Sequence, residues 1–285
     1  WRKKSTMGVR QQRMLLARIE DWLERYLELE SLMKPWNLEA PLFERPEGLP
    51  EVLSTGEEAE LAADLLRERW ELGLDPIENV GELLEARGIK VWAVSGIEGF
   101  DGCLVVADGS APVVVINSDY SADRQRFDLL HELGHLLFDV PAGRDGEKVL
   151  HRFAGAMLFP RAMVLRELSS RRSKLDVSTL HLLKHHYGLS MQAIVVRAHD
   201  LGIVSDSYFK SFWIEFGKRG WRKQEPGDPY VQGARPTRFE RLLFTALAEE
   251  VVSRSRASEL LDRPLEDFMS EFQLEHEGLE TGACC

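Results

Sequence analysis

The chain has 285 residues, 36 Lys and Arg against 47 Asp and Glu, a net charge of −11 at pH 7, and 44% hydrophobic residues. This excludes a protein that coats nucleic acid through its overall charge and a chain too polar to fold; the length allows one large domain, or a medium one with helical additions. No apolar run reaches the roughly 18 residues that span a bilayer and no secretory leader opens the sequence, so a cytoplasmic protein without membrane contact is expected.

The chain opens Trp1-Arg2-Lys3-Lys4 without an initiator methionine, and a further segment upstream in the gene is expected. From about Val9 to Met33, apolar positions such as Met14, Leu15, Ile19, Trp22, Leu23, Tyr26, Leu27 and Leu32 recur at helical spacing and predict one long amphipathic helix. Pro35, Pro41, Pro46 and Pro50 then mark an extended connector. Helices are expected over 56–72 and 76–87, the second with Pro76 in its first turn and Gly88 as its stop.

After Gly88 the period changes to two. Ile89–Val94, Gly102–Ala107 and Pro112–Ile116 read as a small antiparallel sheet, with Asp108-Gly109 as a hairpin turn. A helix over 123–138 follows, capped by Ser121 or Asp123. Pro141–Gly146 reads as a loop and Glu147–Leu158 as a helix ending at Pro160. Further helices are expected at 177–187, 191–200 and 208–216, then a loop over 219–235. Helical stretches over 237–252, 256–261 and 265–272 complete the chain before a disordered end.

Within the helix at 123–138 lies His131-Glu132-Leu133-Gly134-His135. One helical turn separates the two histidines, so both imidazoles can bind one zinc ion while Glu132 points beside it. Chance alone gives such a pattern in roughly two chains of this composition per hundred, so its context matters. Phe127, Leu130, Leu133, Leu136 and Leu137 supply the apolar face, and Gly134 leaves room for a neighbour on the metal side.

A hydrolytic zinc takes three protein ligands and keeps one position open. Glu147, following the first helix by a short loop, is the foremost third ligand; Asp139, Asp145 and His151 compete with it. The metal would acidify a water, Glu132 would take its proton as general base, and the proton would pass to the leaving amine. Tyr187 and His186 are candidate donors to the oxyanion. His181 and His185 form a second pair at helical spacing but have no acidic partner nearby. Of the three cysteines, Cys284 and Cys285 end the chain and Cys103 lies in a strand-like run; none has the spacing of a disulfide framework or thiolate zinc site. Cys103 reads as a buried small hydrophobe, with a redox input as the competing reading.

Two blocks, Arg124–Phe127 with the H-E-x-x-H run, and His151-Arg152-Phe153-Ala154-Gly155-Ala156-Met157-Leu158-Phe159-Pro160, resemble the ImmA/IrrE family of zinc metallopeptidases. The resemblance extends over about 77–217, takes in Tyr187–Ala193 and Arg197-Ala198, and places Glu147 where that family has its acidic zinc ligand. The chain departs from the family pattern at His151, where Asn or Asp is usual, and at Leu150, where a small residue is usual. The resemblance implies site-limited cleavage of a repressor-like transcription regulator in a stress response or in control of mobile elements. The long first helix is similar to the connector in members that carry an upstream helix-turn-helix domain, which would supply DNA contact. A competing reading is a transcription regulator or antitoxin-like binding protein that keeps the zinc fold as a scaffold. Ser253–Leu261 resembles the first helix of a helix-turn-helix.

The expected protein is thus α+β: a mostly helical, zincin-like core with a small antiparallel sheet at 51–220, a linker helix and connector at 1–50, and a C-terminal helical region at 221–285. Zn2+ would be held by His131, His135 and Glu147, with Glu132 and Tyr187 catalytic.

Overall fold

The computed structural model describes residues 8–36, 38, 41–106, 111–232 and 234–270. Asp108-Gly109, the two terminal cysteines and the chain beyond Ser270 lie outside the described residues. These divide into two compact units, one of residues 41–236 and one drawn from 7–40 and 237–285.

In the larger unit, α2 (Gly56–Arg69) and α3 (Val80–Glu85) precede the three strands β1 (Lys90–Val94), β2 (Gly102–Val105) and β3 (Val113–Asn117). Thr55 caps α2 through the amide of Glu58, whose carboxylate returns to the Thr55 amide, a reciprocal box that fixes the helix start. The third helix begins at Val80, not Pro76, because the Asn79 side chain accepts from the amide of Glu82 and sets the N-terminus there.

The sheet has the order β1-β3-β2. It is mixed, which corrects the antiparallel expectation: β2 pairs antiparallel with β3, whereas β1 pairs parallel with it, Val91 opposite Val114. Burial gives the reason. All five residues of β3 are buried, and a strand covered on both faces belongs at the centre, with β1 and β2 displaced to its two sides.

Against this sheet packs α4 (Ala122–Leu137), and against α4 packs α5 (Arg144–Leu158). Gly134 permits the approach: a Cβ there would stand 2.9 Å from Leu150 Cδ2 and 3.2 Å from Phe153 Cδ1. The chain leaving α4 is fixed by Asp139, whose backbone exchanges hydrogen bonds with Glu51 and Leu53. The remaining helices are α6 (Arg161–Leu168), α7 (Val177–Tyr187), α8 (Met191–Asp200) and α9 (Asp206–Lys218).

Behind α5 the carboxylate of Glu60 on α2 is fully buried and shared by Arg152 of α5 and Arg197 of α8. Arg197 also reaches Glu60 Oε2 at 3.1 Å and the Phe159 carbonyl at 2.8 Å. Three helices are thereby joined at one anion.

The second unit consists of α1 (Val9–Met33), α10 (Arg238–Ala248) and α11 (Arg254–Leu261), with a further helical stretch over 265–270. The apolar stripe of α1 is buried, and Tyr26 meets Phe239 of α10 with ring centroids 5.3 Å apart. Arg25 donates to the Leu260 carbonyl at the end of α11. Arg256 is held between Glu28 and Glu259, so this basic residue of the helix-turn-helix-like tail is committed within the protein. No helix among the described residues is long and apolar enough to cross a membrane.

Removing the shared anion leaves the buried guanidinium of Arg197 facing that of Arg152, which keeps Asp200 at 3.0 Å. Glu60→Ala is therefore expected to cost about 3–5 kcal/mol of unfolding free energy, measured by urea denaturation; a loss below about 1 kcal/mol would show that the cluster is not a structural linchpin.

Candidate metal centre and active site

His131 and His135 both lie in the last two turns of α4 and present their rings 4.8 Å apart. Helix α5 starts at Arg144, three residues before its expected start, so Glu147 stands in its first turn within a continuous helix. From there its carboxylate reaches both histidines: Oε2 is 3.4 Å from His131 Nε2, and Oε1 is 3.8 Å from His135 Nε2. The ligand atoms of the three residues all lie within 4.8 Å of one another, and they form the metal-capable group found among the described residues.

The set fits a zinc ion. Two imidazole nitrogens and a carboxylate oxygen are its customary ligands, and atoms bound to one tetrahedral ion at about 2.0–2.1 Å lie roughly 3.4 Å apart. The two histidine side chains are nearly buried while that of Glu147 is 27% exposed, so the third ligand stands on the open side.

The competitors for that role are elsewhere. Asp145 is exposed, its carboxylate taken by Lys148 at 2.9 Å, which holds it below the usual carboxylate range. Asp139 is also exposed. His151 comes closest, with its ring 4.8 Å from that of His131, but it is not part of the converging group.

Glu132 is buried on the sheet side of α4. Gly102 of the edge strand β2 faces it: a Cβ there would stand in ordinary contact with it, 3.4 Å from Glu132 Oε1 and 3.5 Å from its Cγ. The neighbouring Cys103 is buried, and burial followed by the charge of Glu132 pushes its thiol up to about 12. A thiol so far from ionisation is inert toward oxidants at neutral pH, which supports the reading as a small hydrophobe.

Tyr187 is not brought to the ligand triad by any contact of its ring. It stacks on Phe159 at 3.9 Å and meets His186 edge-on, and burial first, then Glu167, pushes its hydroxyl up to about 12. His186 is exposed. His181 and His185 do pair, with rings 4.5 Å apart, but no carboxylate joins them; His185 Nε2 lies 3.2 Å from the Asp228 carbonyl.

Residues 84–199 match a peptidase family model, the IrrE N-terminal-like domain. The chain carries an ImmA/IrrE-family domain. The match spans β1 to all but the end of α8 and contains the His131–Glu147 triad; the rest of the chain lies outside it. No curated protein matches the chain.

Sequence reasoning did not find one glycine on which the placement of Glu147 in this ImmA/IrrE-family domain depends. Gly146 lies where a Cβ would come 2.0 Å from the Pro141 carbonyl oxygen, so the loop between α4 and α5 can close only over a glycine. A glycine inside the first turn of an otherwise favourable helix was the available hint.

Two outcomes follow. Gly146→Ala should push the start of α5, and with it Glu147, away from the histidines and lower zinc affinity by about tenfold or more, read by competition with a chromogenic chelator; unchanged affinity would mean that Glu147 is not a ligand. In peptide mapping after iodoacetamide treatment at pH 8, the Cys103 peptide should stay unmodified in the folded protein and become labelled in guanidinium.

Proposed function

We propose that the protein is a zinc-dependent endopeptidase in which His131, His135 and Glu147 hold the ion and Glu132 is the general base. The observation that carries this reading is the convergence of those three side chains within a domain of a peptidase family. Bound there, zinc supplies Lewis acidity, which lowers the pKa of a water toward about 7 and polarises the scissile carbonyl.

The remaining work falls to the protein. Glu132 accepts the proton of the attacking water on its carboxylate; the water oxygen bonds to the carbonyl carbon, the C–N bond breaks, and Glu132 delivers the proton to the leaving amine nitrogen. Its seat beside Gly102 supports this, because β2 is an edge strand. An extended substrate added along that edge would pass the base. Burial of Glu132 keeps bulk water from competing for the proton.

The substrate we infer is a repressor-like transcription regulator cut at a limited site. The support is the resemblance of the 124–160 blocks to ImmA/IrrE metallopeptidases, and the ordinary location of such a pair is the cytoplasm.

The test separates metal binding from chemistry. Glu132→Gln should bind zinc as the wild type does and lose at least about 100-fold in cleavage of a panel of purified repressor-type regulators, followed by gel and mass spectrometry. Undiminished cleavage by this variant would remove Glu132 as base; zinc-free wild-type protein with full cleavage would remove the metallopeptidase reading altogether.

A further inference from the structure

A cavity of about 690 Å3 lies beside the ligand triad. His151 joins the two, since its ring is 4.8 Å from that of His131 and it lines the cavity wall. One turn before His131 on α4, Phe127 continues the wall with its ring 5.7 Å from His151. Ala193 and Val196 of α8 and Trp213 of α9 line it too, and residues of the 222–229 loop close it.

Phe127, Ala193, Val196 and Trp213 are all half-buried. Apolar area left uncovered in a concave site, next to reactive groups, marks a ligand pocket and not ordinary surface. Apart from Lys223, which is exposed, the cationic groups in the wall are engaged within the protein. Lys184 donates to Glu225 at 2.9 Å and faces Asp123 at 3.5 Å; Glu225 also accepts the amides of Met191 and Gln192, each at 3.0 Å. Arg124 is held by Asp128 and Asp101, and Arg222 donates to the Trp213 carbonyl. With these charges occupied, the stretch of wall formed by Phe127, Ala193, Val196 and Trp213 is left to select by shape and apolarity.

We propose that this cavity receives a large apolar side chain, aromatic or leucine-sized, of the peptide substrate next to the scissile bond, with Phe127, Ala193, Val196 and Trp213 determining that preference. The inference rests on the peptidase reading of the neighbouring triad. Its volume falls within the about 300–1,000 Å3 of sites that enclose small ligands, which accommodates the side chain together with adjoining backbone. Trp213 and the 222–229 loop lie outside the family match at 84–199, so the shared domain alone does not supply this pocket.

The experiment uses the full chain loaded with zinc and a synthetic library of randomised decapeptides. Cleaved bonds are read by mass spectrometry for the wild type, and peptides retained on immobilised Glu132→Gln protein are sequenced as a measure of binding without turnover. Both readouts should show a preference for Phe, Tyr, Trp or Leu at one position. Ala193→Leu and Val196→Phe, each filling the cavity, should reduce the ratio of large to small residues there by about tenfold or more, in cleavage and, combined with Glu132→Gln, in retention; thermal melts establish that each variant is folded. Selective retention that a filling variant abolishes, without cleavage by any form, would sink the peptidase reading and leave the pocket standing. A wild-type protein with no preference for large apolar residues in either readout would overturn the pocket, as would a folded filling variant with an unchanged preference.

Discussion

At Gly134 the side chains of Leu150 and Phe153 occupy the space that a Cβ would need, and the arrangement of the site depends on that approach. The geometry of the metal-capable group is fixed by helix packing, because His131 and His135 stand on α4 and Glu147 on α5. A helix is a rigid ruler of 1.5 Å per residue, so once Leu150 and Phe153 are seated, Glu147, one turn earlier, has little freedom. The Glu60 anion holds the same helix from behind through Arg152. Contact on one face and charge on the other leave α5 with one position.

The two sides of α4 have separate tasks. His131 and His135 meet α5, whereas Glu132 meets the edge strand through Gly102. Residues adjacent in sequence, such as His131 and Glu132, point about 100° apart on a helix, so they necessarily face different neighbours. The sheet side is dry enough to keep the Cys103 thiol protonated well past neutrality.

Local signals were legible in the sequence, and pairings between distant segments were not. The helix expected from Val9 to Met33 has the bounds of α1, because an amphipathic period reports a buried face whatever buries it, although Met14 and Leu27 of the expected stripe are exposed. The helices at 177–187 and 191–200 were legible for the same reason, and the grouping of His131, His135 and Glu147 was legible from motif spacing and a short loop. The parallel pairing of β1 with β3 was not, since alternation reveals that strands exist without revealing their neighbours. Helix α6 was missed because Pro160 reads as an ending, yet proline at an N-cap also begins a helix. The start of α5 was read late because Gly143 and Gly146 look like loop residues; one stands outside the helix at positive φ, and the other is demanded by Pro141.

The helical unit is assembled from both ends of the chain, with Tyr26 of α1 against Phe239 of α10 and Arg25 against the end of α11. During synthesis at about 5–20 residues per second, α1 therefore waits roughly 10–50 s for its partners to leave the ribosome. Through that interval its stripe of Leu15, Ile19, Trp22, Tyr26 and Leu29 has nothing of its own unit to cover it. The residues of the metal centre, which span only His131 to Glu147, come together within seconds of being made. The nascent chain thus completes the segment of the metal-capable group well before it can cover α1, and that helix is where a chaperone or a wrong partner would take hold.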